Sequence, residues 1–568
     1  MAEKLGVGED DEAGTAGRAA SAARIIGVLG AGTMGAGIAQ LACRSGAHTL
    51  LHDPVAEALQ RGLEKARDGL GKEAARGKLT AEQAGAAADR LQEVHELSAF
   101  APCELVIEAA PERLELKHEL YRALSEIVSA ECVLATNTSS LLVTEIAVAA
   151  SAPERVVGMH FFNPAPVMRL LEVVAGEQSS SQALALADAT GKAMGKTVIR
   201  ASDGPGFLVN RCNRPFGLEA LRLLQERIAD LRSIDRICRM AGGFRMGPFE
   251  LMDLVGVDTG FEISKSFYAQ SFGEPRWRPS MIAARYVAAG LHGRKTGRGY
   301  YSYDAAAGTA AQSYREPDPD PIDARPASGE GVVVISGASL LAQELRVAAD
   351  AAGYEVRAPH EPSGDSLPSL VIDCDCDCAP GAQEQPEHER EGRHPSPTAG
   401  ARLLLCARGS LAALDPSGSA VGFHALAPLA RASLVELTRS ESSSPLTGER
   451  AERFFGALGK HVAWVGDAPG LVLGRIVCQV INESAFALGE GVGEARDIDL
   501  GMVLGLSHPY GPFEWADAIG LDHVLGVLEA LCAEYREERY RPAPALRRLV
   551  AAGRLGQAAG AGFFDYES

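Results

Sequence analysis

No run of apolar residues in this 568-residue chain approaches the ~18 that a membrane-spanning helix needs, so no spanning segment is expected. An excess of basic residues is missing too: 55 Lys and Arg stand against 74 Asp and Glu, a formal charge of −19. Such a field repels phosphate. It argues against nucleic acid or an anionic membrane as partner, and any anionic ligand must be held by a local basic patch. The first 23 residues lack both the apolar core of a signal peptide and the Arg-rich amphipathic pattern of a transit peptide. With the acidic cluster Glu9 to Glu12 among Gly, Ala and Ser, they read as a floppy tail. Paired cysteines are scarce as well. The eleven Cys mostly stand singly in apolar segments such as "QLACRSG" and "IVCQVIN", which suits reduced thiols in a cytoplasm. The exception is "CDCDC", Cys374 to Cys378. Alternation on a strand sends its three thiols to one face, and no nearby His or second Cys pair completes a zinc set, so a buried strand end and no metal is the expectation.

What is present is present twice. "VGMHFFNPAPVMRLLEVV" (Val157 to Val174) is echoed by "VGFHALAPLARASLVELT" (Val421 to Thr438), so that His160 and Glu172 fall 264 residues before His424 and Glu436. "MGPFELMDLVGVD" (Met246 to Asp258) returns at the same offset as "YGPFEWADAIGLD" (Tyr510 to Asp522). A repeat on this scale organises everything else.

"RIIGVLGAGTMGAGIAQLACRSG" predicts a strand over Ile25 to Leu29, a break at Gly30 and a helix from about Thr33 to Ser45, followed by a strand ending at Asp53. Further strands in "ELVIEAA", "CVLATN" and "RVVGMHF" alternate with helices from about Glu112 to Val128 and from about Leu142, the pattern of a doubly wound, mostly parallel sheet. The charged, Ala-rich stretch from Pro54 to Arg90 is too long for a crossover and reads as an inserted helical arm. The predicted fold class is α/β: a Rossmann-type sheet plus an all-helical C-terminal domain, followed by a degenerate second copy of both. The expected divisions are a tail (1–23), a cofactor domain (24–200), a helical domain (201–304), a Pro- and Asp-rich linker (305–330), a second Rossmann-like domain (331–465) and a second helical domain (466–568).

Gly30, Gly32 and Gly35 form GxGxxG after a strand and at the opening of a helix, where glycines permit the tight turn and close approach of a pyrophosphate. Asp53 stands at the end of the next strand, about 20 residues on, placed to accept ribose hydroxyls. A 2′-phosphate is repelled there, and Pro54 rather than Arg follows. NAD is therefore the expected cofactor, in preference to NADP. His160 and Glu172 flank an irregular Pro-containing loop between two strands, so a hairpin-like return brings them together. A carboxylate on one imidazole nitrogen fixes the tautomer and leaves the other to take a proton near neutral pH. "ATNTSSLL" (Ala135 to Leu142) adds hydroxyls at the carboxyl end of another strand, where open α/β sheets place ligands.

"GAGTMGAGIAQ", "NTSSL", "GMHFFNPAPVMRLLEVV", "PGFLVNR" and "MGPFELMDLVGVD", in order from Arg24 to about Asp304, resemble the L-3-hydroxyacyl-CoA dehydrogenases of fatty-acid β-oxidation. The resemblance implies that His160, paired with Glu172, accepts the substrate proton, that Ser139 and Asn210 contact the reacting oxygen, and that Glu112, Lys117, Ser139, Asn163 and Lys295 contact the cofactor. It implies an acyl-CoA substrate held partly by the helical arm, which here carries Lys65, Arg67, Lys72, Arg76 and Lys78, with Lys72 and Arg76 as the candidate CoA contacts. Gly69 stands where the mitochondrial-type enzymes have a CoA-binding serine. Asn210 is expected one turn into a helix opened by Pro205 and Gly206, in the second domain, so that domain closure completes the site. The duplicated layout resembles the bacterial enzymes of phenylacetate breakdown that oxidise 3-hydroxyadipyl-CoA. A 3-hydroxybutyryl-CoA dehydrogenase is the alternative within the class, and a non-catalytic relative like the lambda-crystallins the alternative outside it.

The shorter members of that family pair through their helical domains, so the tandem copy is expected to supply the same interface within one chain, with oligomerisation optional. The second copy itself is expected to bind no NAD. Ser339 and Ala342 replace two glycines of its turn, and Asn163, Ser139, Asn210 and Lys295 give way to Ala427, Gly409, Gly474 and Ala558. His424 and Glu436 are expected to remain as a buried, mutually satisfied pair.

Overall fold

Short apolar strands separated by helices close into two sheets of the same strand order. The computed structural model describes residues 21–303, 318–320, 329–359, 368–375, 401–416 and 418–566. Most of the expected tail and linker, and Cys376 and Cys378, lie outside the described residues. Cys374 is buried just past the end of its strand. Contacts divide the chain into two compact units, residues 1–138 with 143–198, and residues 139–142 with 199–568.

The first unit is built on β1 (Ile25–Leu29), β2 (His48–His52), β3 (Leu91–Glu93), β4 (Leu105–Glu108), β5 (Val133–Thr136), β6 (Val156–Phe161), β7 (Leu170–Ala175) and the start of β8 (Thr197–Ser202), in the order β3-β2-β1-β4-β5-β6-β7-β8. Pairing from β3 through β6 is parallel, while β6 and β7 run antiparallel. All residues of β4, β5 and β6 are buried, as expected of strands covered on both faces. The predicted arm is a helix pair. Ala56–Ala75 buries Leu59, Leu63, Ala66 and Leu70, one stripe at helical spacing. Ala81–Asp89 starts from a reciprocal Thr80–Gln83 capping box.

In the second unit, β9 (Val332–Ser336), β10 (Glu355–Arg357), β11 (Leu370–Asp373), β12 (Ala401–Leu405), β13 (Val421–His424), β14 (Leu434–Arg439) and β15 (His461–Trp464) run in the order β10-β9-β11-β12-β13-β14-β15. Among the described residues this repeats the first sheet without a counterpart of β3. Residues 358–369 join β10 to β11, where residues 53–104 join β2 to β4, so the second copy has no room for the arm.

The helical domains of the second unit centre on helix Leu473–Gly489, of which nearly every residue is buried. It packs on helix Arg214–Gln225. Arg211 donates to Glu483 (2.9 Å) and Glu490 (2.6 Å), and Arg475 donates to Glu219 and to Glu226 (2.6 Å). Positions 211 and 475, 219 and 483, and 226 and 490 are each 264 apart, so the same contact is made in both directions, the signature of an isologous interface. One local expectation fails: Phe207 has a left-handed φ of 52°, the helix begins at Val209, and Asn210 is its second residue rather than one turn in.

Candidate active site

In the first unit, Gly30 adopts φ 99° and turns the chain from β1 into helix Thr33–Arg44. A Cβ there would lie 2.7 Å from the Ala109 carbonyl oxygen, and one on Gly35 would strike the Gly30 carbonyl. At Gly32, by contrast, an added Cβ meets nothing within 4 Å, and no side chain caps the helix. The helix therefore presents uncapped N–H groups into open space, an anion site by construction. Asp53 is anchored beside it, Oδ2 accepting from the Ala31 amide (2.8 Å) and Oδ1 from the Val55 amide (2.9 Å). These residues fit NAD, with an open turn of the kind that receives a pyrophosphate and a fixed carboxylate of the kind that accepts ribose hydroxyls.

Beside this turn, at the end of β4, the Glu108 carboxylate accepts from Lys117 Nζ (2.7 and 2.8 Å), the Ala110 amide (2.7 Å) and Thr136 Oγ1 (2.8 Å). Glu112, on the loop before helix Leu114–Ile127, accepts from Thr138 Oγ1 (2.6 Å), with Lys117 Nζ 3.4 Å from its other oxygen. Thr136 and Thr138 belong to the "ATNTSSLL" segment whose hydroxyls were expected at a ligand site, whereas Glu108 had no sequence signal beyond its position at the carboxyl end of β4.

His160 and Glu172 are direct partners across β6 and β7, with Nδ1 2.6 Å from Oε2. The expected hairpin is therefore real. Both side chains are buried, and the Phe162 ring lies 4.7 Å from the imidazole centroid to centroid. Sequence reasoning missed two supports. Asn137 Oδ1 accepts from the Phe161 amide (2.9 Å), and Lys196 Nζ donates to the Ala165 and Met168 carbonyls, tying down the loop that carries the exposed Asn163. Burial lowers the Lys196 pKa to about 8. On the arm, Lys72 and Arg76 are exposed, and a Cβ at Gly69 would meet Gln40 Oε1 at 2.1 Å, so a serine there requires the Gln40 side chain to move.

The remaining predicted residues belong to the second unit. Ser139 and Asn210 are half-buried, and Lys295 is exposed with its ammonium 2.7 Å from Asp258 Oδ2.

The second copy, also within that unit, retains a cavity of about 460 Å³ lined by residues including Ser339, Ala407, Arg408, Asp522, His523 and Ala558. Ser339 Oγ accepts from the Ala342 amide (3.2 Å), so a side chain now occupies the helix N-terminus that stays open in the first copy. Strand register corrects one correspondence: Leu404 faces Gly422 as Thr136 faces Gly158, so Ser139 answers to Ala407 rather than Gly409. The expected His424–Glu436 bond is also absent. The two remain strand partners, but Glu436 accepts from the Val472 (2.7 Å) and Leu473 (3.1 Å) amides, capping the central helix. His424 instead places Nε2 3.2 Å from His523 Nε2, and its Nδ1 has no hydrogen-bond partner among the described residues. Burial pushes the Glu436 carboxyl up to about 8 and holds both imidazoles far below their usual range, His523 at about 4. Loss of the Asn210 counterpart is what admits this packing, since a Cβ at Gly474 would lie 2.2 Å from the His424 ring.

The family described as "3-hydroxyacyl-CoA dehydrogenase, NAD binding domain" matches residues 25–204, and "3-hydroxyacyl-CoA dehydrogenase, C-terminal domain" matches residues 206–303 and again 470–566. A 3-hydroxyadipyl-CoA dehydrogenase of Escherichia coli K12 is 34% identical over 523 residues, 92% of this chain and 96% of that protein. A probable 3-hydroxybutyryl-CoA dehydrogenase of Deinococcus radiodurans is 40% identical over 49% of this chain and 99% of its own length. The solved structure of an Escherichia coli K12 3-hydroxybutyryl-CoA dehydrogenase superposes with a TM-score of 0.74 at 33% identity, covering 94% of this chain and 99% of that one. With the open dinucleotide turn and the bonded His160–Glu172 pair, these matches place the chain in the 3-hydroxyacyl-CoA dehydrogenase family, as an NAD-dependent oxidoreductase built from a Rossmann-type domain and a helical C-terminal domain in duplicate.

Proposed function

We propose that the chain oxidises 3-hydroxyadipyl-CoA, an L-3-hydroxyacyl-CoA ending in a carboxylate, to its 3-oxoacyl-CoA in a β-oxidation-type catabolic sequence such as phenylacetate breakdown. The observation that carries this reading is the match across both copies to a protein named for that substrate. The rival substrate, 3-hydroxybutyryl-CoA, is supported by the names of the half-length relative and of the solved structure. A non-catalytic role finds no support in a His160–Glu172 pair held at 2.6 Å.

In this reading His160 takes the C3 hydroxyl proton at Nε2, while Glu172, on Nδ1, stabilises the imidazolium. Bound NAD supplies the hydride acceptor. Ser139 and Asn210 hold the reacting oxygen, the kind of contact whose loss costs ~10² to 10³ in rate. Gly30, Gly32, Gly35, Asp53, Glu112, Lys117, Ser139, Asn163 and Lys295 are the cofactor residues, and Lys72 and Arg76 neutralise CoA phosphates. The second copy binds no NAD and serves as an internal partner: the reciprocal Arg211–Glu483 and Arg475–Glu219 pairs support a pseudo-dimer within one chain, with homo-oligomerisation optional. A cytoplasmic site of action is supported by the described cysteines all being free thiols.

The test is turnover at 340 nm of acetoacetyl-, 3-hydroxybutyryl- and 3-hydroxyadipyl-CoA, each with the NAD and the NADP forms of the cofactor. The highest kcat/KM is expected with 3-hydroxyadipyl-CoA and NAD. Preference for the butyryl substrate would replace the proposed one, and no turnover of any would overturn the reading.

A further inference from the structure

We infer that Arg214 reads the far end of the substrate: its guanidinium takes the terminal carboxylate of a dicarboxylic 3-hydroxyacyl-CoA, so that the enzyme selects this chain over one ending in a methyl group. This rests on the proposed substrate and on Asn210 as a contact of the reacting oxygen.

Arg214 opens helix Arg214–Gln225, four residues after Asn210, and its Nε donates to the Asn210 carbonyl (3.3 Å). Nη1 donates to Ser264 Oγ (3.3 Å), and the guanidinium lies over the buried Phe267 ring, 4.9 Å from the centroid. Both polar partners are neutral. Arg211 and Arg475, in the same unit, each face two carboxylates, but among the described residues none pairs with Arg214, and burial pulls its pKa down to about 10. Of the five N–H donors of a guanidinium these bonds use two, and among the described residues Nη2 has no acceptor. A desolvated cation without a counter-charge is costly, and an arriving carboxylate removes that cost.

The second copy shows what packing alone requires at this place. Arg214, Gly260, Ser264 and Phe267 correspond, 264 residues on, to Cys478, Val524, Leu528 and Leu531, all fully buried. The fold is therefore content with an apolar cluster, and the first copy departs from it toward an anion site: a guanidinium, a hydroxyl, and a glycine whose added Cβ would meet nothing within 4 Å. Helix Val257–Gln270, which carries Ser264 and Phe267, also holds the segment of Ser139, since Gln270 Nε2 donates to the Ser140 carbonyl (2.8 Å). The spacing suits the proposed substrate. Helical residues four apart have Cβ atoms about 5–6 Å from each other, and in a 3-hydroxyadipyl chain three carbon–carbon bonds lead from C3 to the carboxylate carbon. With the C3 oxygen at Asn210, the carboxylate comes within reach of Arg214, whereas a butyryl chain ends one bond past C3 and falls short.

Steady-state kinetics of the full chain with 3-hydroxyadipyl-CoA and with 3-hydroxyhexanoyl-CoA, of equal carbon number but ending in a methyl, test the assignment. The wild type is expected to prefer the adipyl substrate in kcat/KM. In Arg214→Met the ratio of the two efficiencies should fall about 10- to 100-fold, the range for a hydrogen bond to a charged group. The change should lie mainly in the adipyl KM, with hexanoyl efficiency rising because a methyl no longer meets a desolvated cation. Arg214→Lys should keep part of the preference, since it retains the charge and loses the planar fork, and its ratio decides the matter if Arg214→Met does not fold. An equal loss on both substrates makes Arg214 a structural support of Asn210 and overturns the inference. A wild-type preference that survives Arg214→Met overturns it too, while leaving the proposed substrate standing. A wild type that itself prefers the hexanoyl or butyryl chain removes the proposed substrate, and the inference with it.

Discussion

Replacing Arg475 by Met should destabilise the second unit more than any other single change at the junction of its two helical domains. The guanidinium is fully buried and reaches Glu219, Glu226 and the hydroxyls of Tyr535 and Tyr540. Methionine fills part of the volume but leaves the Glu219 carboxylate, 5% exposed, with only the Tyr540 hydroxyl as donor among the described residues, at 2.8 Å. Breaking a buried pair from one side costs ~3–5 kcal/mol. At ~2 °C per kcal/mol for a large unit, the melting transition should fall by about 6 to 10 °C. The reciprocal Arg211→Met should cost less, for two reasons visible in the contacts. Glu490 is 47% exposed and keeps its hydration, and Arg276 remains 2.9 Å from Glu483 to neutralise it. Removing the charges together, as Arg475→Met/Glu219→Gln/Glu226→Gln, should recover most of the loss. Urea unfolding and calorimetry of the three variants decide the matter. A loss below ~1 kcal/mol for Arg475→Met, the worth of a surface pair, or a larger loss for Arg211→Met, would refute the reasoning.

Three further outcomes are expected. His160→Ala should lower kcat by about 10² to 10⁴ and Glu172→Gln by less, because one removes the base and the other its support; near-native turnover by His160→Ala, followed at 340 nm, would end the mechanism. Calorimetric titration should find one NAD per chain, and His424→Ala should stay active; a second NAD, or a folded but inactive His424→Ala, would restore function to the second copy. His523, which faces His424, Asp522 and Arg408, is held by burial at about 4 against an ordinary 6.5. Below 6.5 the unfolded chain takes up a proton that the folded chain refuses until about 4, so stability present above 6.5 is lost as pH falls through this window. His523→Asn should flatten that loss in urea titrations between pH 6.5 and 4, and an unchanged slope would count against it.

Local and periodic features were readable from the sequence because one short segment contains all that they depend on. The strand over Ile25–Leu29, the glycine turn and Asp53 lie within thirty residues of one another, and backbone sterics alone demand glycine at position 30. His160 and Glu172 were paired correctly because a strand, an irregular loop and a strand leave an antiparallel return as the compact solution. The 264-residue offset exposed the duplication directly.

What the sequence left open were choices among competing partners, which are made only after packing. His424 and Glu436 keep the residue types and the strand register of His160 and Glu172. Yet Glu436 turns to the Val472 and Leu473 amides and His424 to His523, since glycine at position 474 lets the imidazole lie against the central helix. The counterpart of Ser139 moved to Ala407 because Leu404 and its strand partner Gly422 are 18 residues apart where Thr136 and Gly158 are 22 apart, so the 264-residue offset does not hold across this connection. Lys117 was named only from the family resemblance, and nothing in the sequence told that its ammonium bonds the Glu108 carboxylate, nine residues away and on another element. Residue type and spacing determine which contacts a side chain is able to make, and the tertiary structure decides which of them is nearest and driest, because a buried polar group must take the partner that packing leaves within reach.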